Sequence, residues 1–211
     1  MIKKAIKNIQ LFKIVEELTQ NTYYGSSQEW FKTKWQRLSG CGPTAVANIL
    51  FYLNHTNSDS LETASTSKSD YMLFMEEIWQ YVTPNLGGIS STKMLCKGAQ
   101  KYMKAKKLNI KLDVIDIPKK RILRPDFKKI LQFVDVALSS NMPVAFLNLQ
   151  NGAVTHLDSW HWVTIISLEY SEDGSTAIID ILDEGMIKKI NLAQWYHATT
   201  LGGGFVSFNR I

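Results

Sequence analysis

Ser39-Gly40-Cys41-Gly42-Pro43-Thr44 leads without a break into the apolar stretch AVANILFYL at residues 45–53. Pro43 suits the first turn of a helix, because its fixed φ is helical and its missing N–H is not needed there. We therefore expect a helix to begin at this proline, with Cys41 at its N-terminus. The helix is apolar on nearly every face, so it should be buried rather than lie at the surface.

Cys41 is a candidate nucleophile because of this position. The unpaired N–H groups and the positive dipole end at a helix N-terminus favour an anion and therefore stabilise a thiolate. A reactive thiol at the tip of a buried helix is suited to covalent catalysis in a cleft. A free cysteine is also often an inert, buried side chain, so the partner residues decide between the two interpretations.

The composition is that of an ordinary globular protein. The 211 residues are 45% hydrophobic and 20% charged, and a chain of this length is expected to form one domain. Its net charge of +5 comes from lysines scattered in short clusters, without a recognisable nucleic-acid-binding motif. No stretch approaches the roughly 18 apolar residues of a membrane span. We therefore expect neither a nucleic-acid partner nor a membrane.

The N-terminal residues and the two cysteines indicate the compartment. Residues 1–10 have no uninterrupted apolar core and no small-residue cleavage site, so they are not predicted to be a signal peptide. Cys41 and Cys96 lie in helical contexts, without the spacing of zinc ligands or of a disulfide scaffold. His156 and Asp158 would need further metal ligands, and none has suitable spacing. The sequence thus predicts a cytoplasmic protein without a metal or other cofactor, in which Cys96 is structural.

The hydrophobic pattern changes along the chain from helical to strand-like periodicity. Besides the helix behind Cys41, the spacing predicts helices at residues 2–18, 70–82, about 90–106, 125–138 and 192–197. Alternation and short apolar runs predict strands at residues 110–114, 143–149, 161–170, 176–182, 186–190 and 204–208. Residues 21–40 and 56–69 are expected to be loops. The pattern indicates an α+β protein, with a helical lobe at about 1–107 and a mainly β lobe, an antiparallel sheet, at about 108–211.

Trp160-His161-Trp162-Val163 opens an otherwise apolar strand. Histidine can take a proton from a thiol near neutral pH, and the two flanking indoles would shield it from water. A lone buried histidine is also often structural. The next strand ends at Asp183-Glu184-Gly185, and a carboxylate there could hold the imidazole in one tautomer and orientation. Asp180 is the alternative carboxylate, although its position between two isoleucines favours a solvent-facing side chain.

Three motifs together resemble a known family. Gly40-Cys41-Gly42-Pro43-Thr44-Ala45, the strand start at residues 160–163 and Asp183-Glu184-Gly185 are similar, in this order, to the papain-like cysteine peptidases of the C39-like group, which includes bacterial proteins. The resemblance extends from about Tyr23 to the glycine-rich segment at 202–206. It implies a papain-like fold and a peptide or protein substrate.

The resemblance also implies a role for each residue. Cys41 would attack a peptide carbonyl, and His161 would act as its base and then as the acid for the leaving amine. Asp183 would orient the imidazole. The family usually has a Gln about six residues before the Cys, where its amide helps to hold the oxyanion; here that position is Trp35.

Two other glutamines are candidates for the oxyanion site. Gln36 lies one residue from the usual position, and Gln28 lies further from Cys41. Some C39-like sequences have a longer gap, which favours Gln28. The backbone N–H of Cys41 would be one oxyanion donor with either glutamine.

Three functions are compatible with these residues. The first is hydrolysis of a peptide or isopeptide bond through an acyl-enzyme on Cys41. The second is an acyltransferase, in which an amine rather than water resolves the same acyl-enzyme. The third is a binding module that has the fold but no turnover. The oligomeric state and the substrate stay open.

Overall fold

The structure of the chain is a computed structural model that describes residues 1–56 and 66–211. Within these residues the α-helices are α1 (Lys34–Ser39), α2 (Cys41–His55), α3 (Lys68–Trp79), α4 (Thr92–Ala105), α5 (Phe127–Ser139) and α6 (Leu192–Ala198). The strands are β1 (Ile2–Ala5), β2 (Lys13–Val15), β3 (Thr22–Tyr24), β4 (Thr66–Ser67), β5 (Ile110–Ile117), β6 (Val144–Asn148), β7 (His161–Tyr170), β8 (Ala177–Asp183), β9 (Met186–Asn191) and β10 (Gly203–Arg210). Short 3-10 turns lie at Ile9–Phe12, Gln28–Trp30 and Arg121–Leu123.

Among the described residues, the main sheet is antiparallel and has seven strands. Six of them follow the order β5-β10-β6-β7-β8-β9, and β1 pairs with β7. Helices α2 and α5 both pack on β6 and β7, and every residue of β6 is buried. A smaller sheet joins β3, β2 and β4. Helices together with an antiparallel sheet are an α+β architecture, so the predicted fold class is confirmed.

Helix α2 is the buried element to which the site is attached. Its residues from Gly42 to Leu53 are all buried, because it packs between the sheet and helices α3 and α4. It begins at Cys41, two residues earlier than expected, with Pro43 in its first turn. The predicted helices and strands after residue 70 agree with the structure to within a few residues.

The helix predicted over residues 2–18 is wrong. Residues 2–5 form β1, which pairs with Ser167–Tyr170 of β7, beyond the point where the pairing of β6 with β7 ends at Ile165. Without β1, this half of β7 would have a row of unpaired backbone groups. The isoleucine spacing fits a helix, but this long-range pairing overrides it. Residues 2–5 therefore belong to the sheet rather than to a helical lobe.

Two predicted loops also differ from the structure. The segment 21–40 contains α1, which Thr33 caps: its side chain accepts from the Gln36 backbone N–H, and the Gln36 side chain accepts from the Thr33 N–H. This capping box stabilises a helix in a segment without apolar periodicity. Of the predicted loop 56–69, residues 57–65 lie outside the described residues, and α3 already begins at Lys68.

Candidate active site

Cys41 is the first residue of α2 and is partly exposed. The residue before it is Gly40, so no side chain caps this helix, and the Gly40 carbonyl accepts a 2.9 Å hydrogen bond from the Thr44 N–H. The N–H groups of the first turn and the positive dipole end therefore lie beside the thiol. A Cβ added at Gly42 would lie 2.9 Å from the side chain of Ile89, so only glycine allows this close approach.

His161 is the buried first residue of β7, and both sides of its ring have partners. Its Nε2 lies 2.7 Å from Asp183 Oδ1. The Cys41 side chain lines the same cavity and helps to raise the pKa of the imidazole, and since Nε2 faces Asp183, Nδ1 is the nitrogen left for the thiol. Cys41, His161 and Asp183 thus surround one small cavity between α2 and the sheet, with the imidazole hydrogen-bonded to the carboxylate.

The charges in this site support each other. Burial acts to lower the pKa of His161, but the hydrogen bonds and charges of Asp183 and Cys41 outweigh it and raise the pKa to about 10. Burial acts to raise the pKa of Asp183, yet its contacts with His161 and Lys188 hold that pKa below its usual value. The arrangement therefore favours an imidazolium beside a carboxylate, and an imidazolium stabilises a neighbouring thiolate.

A tight turn positions Asp183 at the end of β8. Glu184 and Gly185 have φ of 52° and 75°, the left-handed pair that a two-residue type I′ hairpin requires. The Gly185 carbonyl accepts a 2.8 Å hydrogen bond from the Tyr24 N–H, and a Cβ at Gly185 would lie 3.0 Å from the Tyr23 ring. Strand β3 therefore holds the turn, and with it the carboxylate.

Lys188 is a partner of Asp183 that the sequence analysis did not identify. Its Nζ donates to Asp183 Oδ2 at 2.7 Å and lies 3.6 Å from Glu184. The two oxygens of Asp183 are thus divided between His161 and Lys188. The alternative carboxylate, Asp180, accepts instead from Ser167 Oγ at 2.6 Å. The structure brings Asp183, not Asp180, to the imidazole.

Gln28 lies in the same site, brought there by Asn48 of α2. The Asn48 Oδ1 atom accepts from both the N–H and the hydroxyl of Ser26, each at 2.9 Å, and from the Tyr71 hydroxyl at 2.9 Å. These bonds hold the loop before Gln28 against the helix. A lone amide in an otherwise apolar buried helix was the signal in the sequence for such an anchor.

A cavity of about 10 Å³ connects these side chains, which is the room of about one water molecule. Gln28, Cys41, His161 and Asp183 all line it. Three buried side-chain oxygens without a hydrogen-bond partner are found in the described part of the chain, on Gln28, Thr44 and Thr164, and all three residues line this cavity. Buried polar atoms are normally paired, so this cavity is suited to a polar group from outside the protein.

The other glutamine candidate has a structural role. Gln36 Nε2 donates to Glu76 at 2.8 Å, and its backbone and side chain complete the cap of α1. The neighbouring Trp35 packs edge-on against Trp79, with ring centroids 5.1 Å apart. Neither residue lines the cavity beside Cys41.

A second opening reaches Cys41 as a groove of about 290 Å³. Trp160, which is exposed, lines it, while Trp162 is buried and donates its indole N–H to the Ile89 carbonyl at 2.6 Å. The expectation that both indoles shield His161 is not met, because Trp160 is exposed. Trp162 also ties the start of β7 to the loop that forms one wall of the groove.

Cys96 lies apart from this site on α4. Burial, with the negative charge of Asp116, raises the pKa of its thiol to about 11. Among residues 1–56 and 66–211, no three His, Cys, Asp or Glu side chains are grouped so that they could hold a metal ion. Over the same residues, no helix has the length and apolar composition that a membrane span needs.

Comparisons with known proteins identify the fold. No family model and no curated protein matches the chain. Among solved structures, UfSP from C. elegans aligns over the whole of this chain with a TM-score of 0.55 and 10% identity, and the chain spans 34% of that structure's length. The chain has a papain-like cysteine peptidase fold. At this identity the likeness shows the fold alone.

Proposed function

We propose that the protein is a cysteine peptidase or amide hydrolase of the papain-like type that acts through an acyl-enzyme on Cys41. The observation that carries the proposal is that Cys41, at the start of a buried helix, shares one cavity with His161, whose Nε2 is hydrogen-bonded to Asp183. The site contains a nucleophile, a base and a residue that orients the base. An open groove gives a substrate access to the thiol.

Each step of the reaction has a group in this site. The Cys41 thiolate attacks the carbonyl carbon of the substrate, and the carbonyl π electrons move to oxygen. The imidazolium of His161 then gives its proton to the leaving amine as the C–N bond breaks, which leaves a thioester. Water attacks the thioester and gives a proton to His161, and the C–S bond breaks to release the acid. Asp183 stays ionised and holds the ring through Nε2.

The oxyanion would be held by the Cys41 backbone N–H and the side-chain amide of Gln28. Backbone N–H groups at a helix N-terminus are effective donors to a developing negative charge. Gln28 lines the same cavity as Cys41, and its amide oxygen has no partner in the described protein. The amide is therefore not held in one orientation through that atom and can turn its N–H groups toward the oxyanion.

The finer assignments are also proposals. The motif order supports the C39-like group of bacterial peptidases, and the groove beside Cys41 supports a peptide or protein substrate. Both cysteines are free thiols, which suits a reducing compartment such as the cytoplasm. The same three residues would serve an acyltransferase if an amine replaced water, and a binding module would keep the fold without an activated thiol.

Alkylation of the folded protein by iodoacetamide across a range of pH tests the proposal. Mass spectrometry would map the modified cysteine, and Cys96 serves as an internal control in each sample. We expect Cys41 to react rapidly at neutral pH and Cys96 to stay unmodified, since the pKa of Cys96 is raised to about 11. Preferential labelling of Cys96, or a Cys41 rate that follows the pH profile of a free thiol, would contradict it.

Cys41→Ser tests whether Cys41 is needed for cleavage of a substrate rather than for folding. A hydroxyl is close in size to a thiol but a far weaker nucleophile at neutral pH, so the variant should fold and lose all cleavage of any peptide that the parent processes. Adding a primary amine to the parent reaction distinguishes the two enzymes, because an acyltransferase forms an amide product with it. Equal rates for parent and variant would exclude Cys41 as the nucleophile.

A further inference from the structure

The groove beside Cys41 has an unusual concentration of exposed apolar side chains. Leu38, Leu86 and Trp160 are all exposed large hydrophobic residues, and all three line it. Folded proteins rarely expose contiguous apolar surface unless it binds something. Cys41 lines both this groove and the small cavity, whereas His161 and Asp183 line only the cavity. The groove is therefore the apolar approach to the thiol.

No charged side chain of the described residues lines this groove. Apart from Cys41, its walls consist of leucine, isoleucine, tryptophan, serine and glycine residues, although the chain has 24 Lys and Arg and 19 Asp and Glu residues. A charged substrate side chain would lose hydration here without gaining a partner of opposite charge, which is unfavourable. An apolar side chain would gain by leaving water. The lining therefore favours an apolar substrate side chain over a charged one.

The backbone at Trp160 supports a functional role for its indole. Its φ is +58°, a left-handed conformation that is strained for a bulky residue. Such strain persists where the surroundings hold it, and it is concentrated at binding and catalytic sites. Here it places an exposed indole in the groove wall, directly before His161. A glycine would adopt the same backbone without strain, so the indole itself is what this position provides.

The groove lining at Gly88 leaves space for a ligand. Gly88 has φ +73°, and a Cβ built there would meet no atom within 4 Å. Ile89 next to it is fixed by the hydrogen bond from the Trp162 indole. The groove volume of about 290 Å³ is near the lower end of the range for small-ligand pockets, so it accommodates a short segment rather than a folded surface.

We propose that this groove binds an uncharged substrate segment that carries a large apolar side chain next to the carbonyl attacked by Cys41, with Trp160 as the specificity-determining residue. The proposal rests on the proposed function of Cys41, and it specifies the substrate class by chemistry. Peptides with Asp, Glu, Lys or Arg at that position would be poor substrates.

The test compares two alkylating reagents of the same chemistry, iodoacetamide and N-benzyliodoacetamide. The second-order rate at Cys41 is measured for each, and their ratio is divided by the ratio for free glutathione, which removes the intrinsic difference in reactivity. We expect N-benzyliodoacetamide to be favoured about tenfold, since burial of an apolar ring is worth at least that much. The preference should fall to about one in Trp160→Gly and fall partly in Leu86→Ala.

Ile122→Ala is the matched control. Ile122 is 92% exposed and Leu86 is 99% exposed, but Ile122 does not line the groove, so the preference should stay at the parent value. Leu86→Ala also covers the case in which Trp160→Gly fails to fold. If Cys41 reacts rapidly with iodoacetamide but shows no apolar preference, or if both groove variants keep the preference, the groove proposal is wrong while the proposed function stands. A Cys41 that is no more reactive than free glutathione would instead overturn the proposed function.

Discussion

Two Asp–Lys pairs on the β8–β9 hairpin use the same residue types in opposite ways. Lys188 Nζ lies 2.7 Å from Asp183, and their side chains are 19% and 4% exposed. Lys189 Nζ lies 4.0 Å from Asp180, and their side chains are 70% and 30% exposed. In the first pair Asp183 is buried beside His161 and Lys188 is partly buried, whereas the second pair faces solvent. The two pairs have the same residue types, so the difference between them lies in their surroundings. Asp183 is buried and hydrogen-bonded to His161, and Asp180 is neither.

The geometry of the hairpin produces this difference. Successive residues of a strand point to opposite faces of the sheet, so Lys188 and Lys189 cannot both face the site. The type I′ turn at residues 184–185 sets the register in which Asp180 is opposite Lys189, and Asp183 is opposite Met186. In a buried site an ion pair interacts strongly and is costly to break. An exposed pair contributes little.

Asp183→Asn should have the largest effect of the changes on this hairpin. It removes the charge that stabilises the His161 imidazolium and sets a neutral amide against Lys188. We expect iodoacetamide alkylation of Cys41 at neutral pH to slow about tenfold or more, because a loss of about 1.4 kcal/mol in the stabilisation of the imidazolium makes the thiolate–imidazolium pair about tenfold less populated relative to the neutral pair. This is far less than the loss of about 10⁴-fold in a serine triad. An unchanged alkylation rate would show that Asp183 does not act on His161.

The pH dependence of stability tests whether the charge of Asp183 stabilises the folded protein. The folded-state pKa of Asp183 is lowered, so its charge contributes stability that is present above its unfolded pKa of about 3.9 and is lost as pH falls through the lower folded value. The gap in unfolding free energy between the parent and Asp183→Asn should therefore be largest near neutral pH and shrink in acid. Urea unfolding of both proteins at several pH values measures it. A gap that is constant with pH would contradict the assignment.

Lys188→Met tests whether Lys188 acts on the site through its charge or by holding the Asp183 carboxylate in place. Lys189→Met is the matched control. Removing Lys188 leaves Asp183 Oδ2 buried without its partner, which should cost about 1–3 kcal/mol of stability. The cation also weakens the attraction of Asp183 for the imidazolium, so its loss should leave alkylation at neutral pH undiminished. If Lys188→Met instead slows alkylation as much as Asp183→Asn does, the lysine acts by holding the carboxylate in place.

The hairpin also shows which parts of the site can be predicted from sequence. The position of Asp183 at the end of β8 could be predicted from the sequence, because it ends an apolar strand just before a turn containing Gly185. Lys188 could not be distinguished from Lys189, because both lie in the stretch Met-Ile-Lys-Lys-Ile. Which of the two lysines reaches Asp183 depends on the register set by the turn and on what packs against that face of the sheet.

The N-terminal half shows the same limit. The apolar stretch after Cys41 predicted a buried helix correctly, because burial of every face can be recognised locally. Ile2 and Ile6 predicted a helix incorrectly, because the strand that pairs with residues 2–5 is about 165 residues away in the chain. The sequence could not decide whether Gln28 or Gln36 lies beside Cys41. Only the fold distinguishes them, because Gln36 completes the cap of α1 and donates to Glu76.

Asp180→Asn should have the smallest effect, and it tests whether the two carboxylates are as different as their surroundings. An asparagine oxygen can still accept the hydrogen bond from Ser167 Oγ, which lies 2.6 Å from Asp180. The ion pair that would be lost is solvent-exposed and 4.0 Å long, so its removal should change the unfolding free energy by less than about 1 kcal/mol. Alkylation of Cys41 should keep the parent rate and pH profile, because Asp180 has no contact with His161. If Asp180→Asn slows alkylation more than Asp183→Asn does, Asp180 rather than Asp183 is the carboxylate that acts on the imidazole.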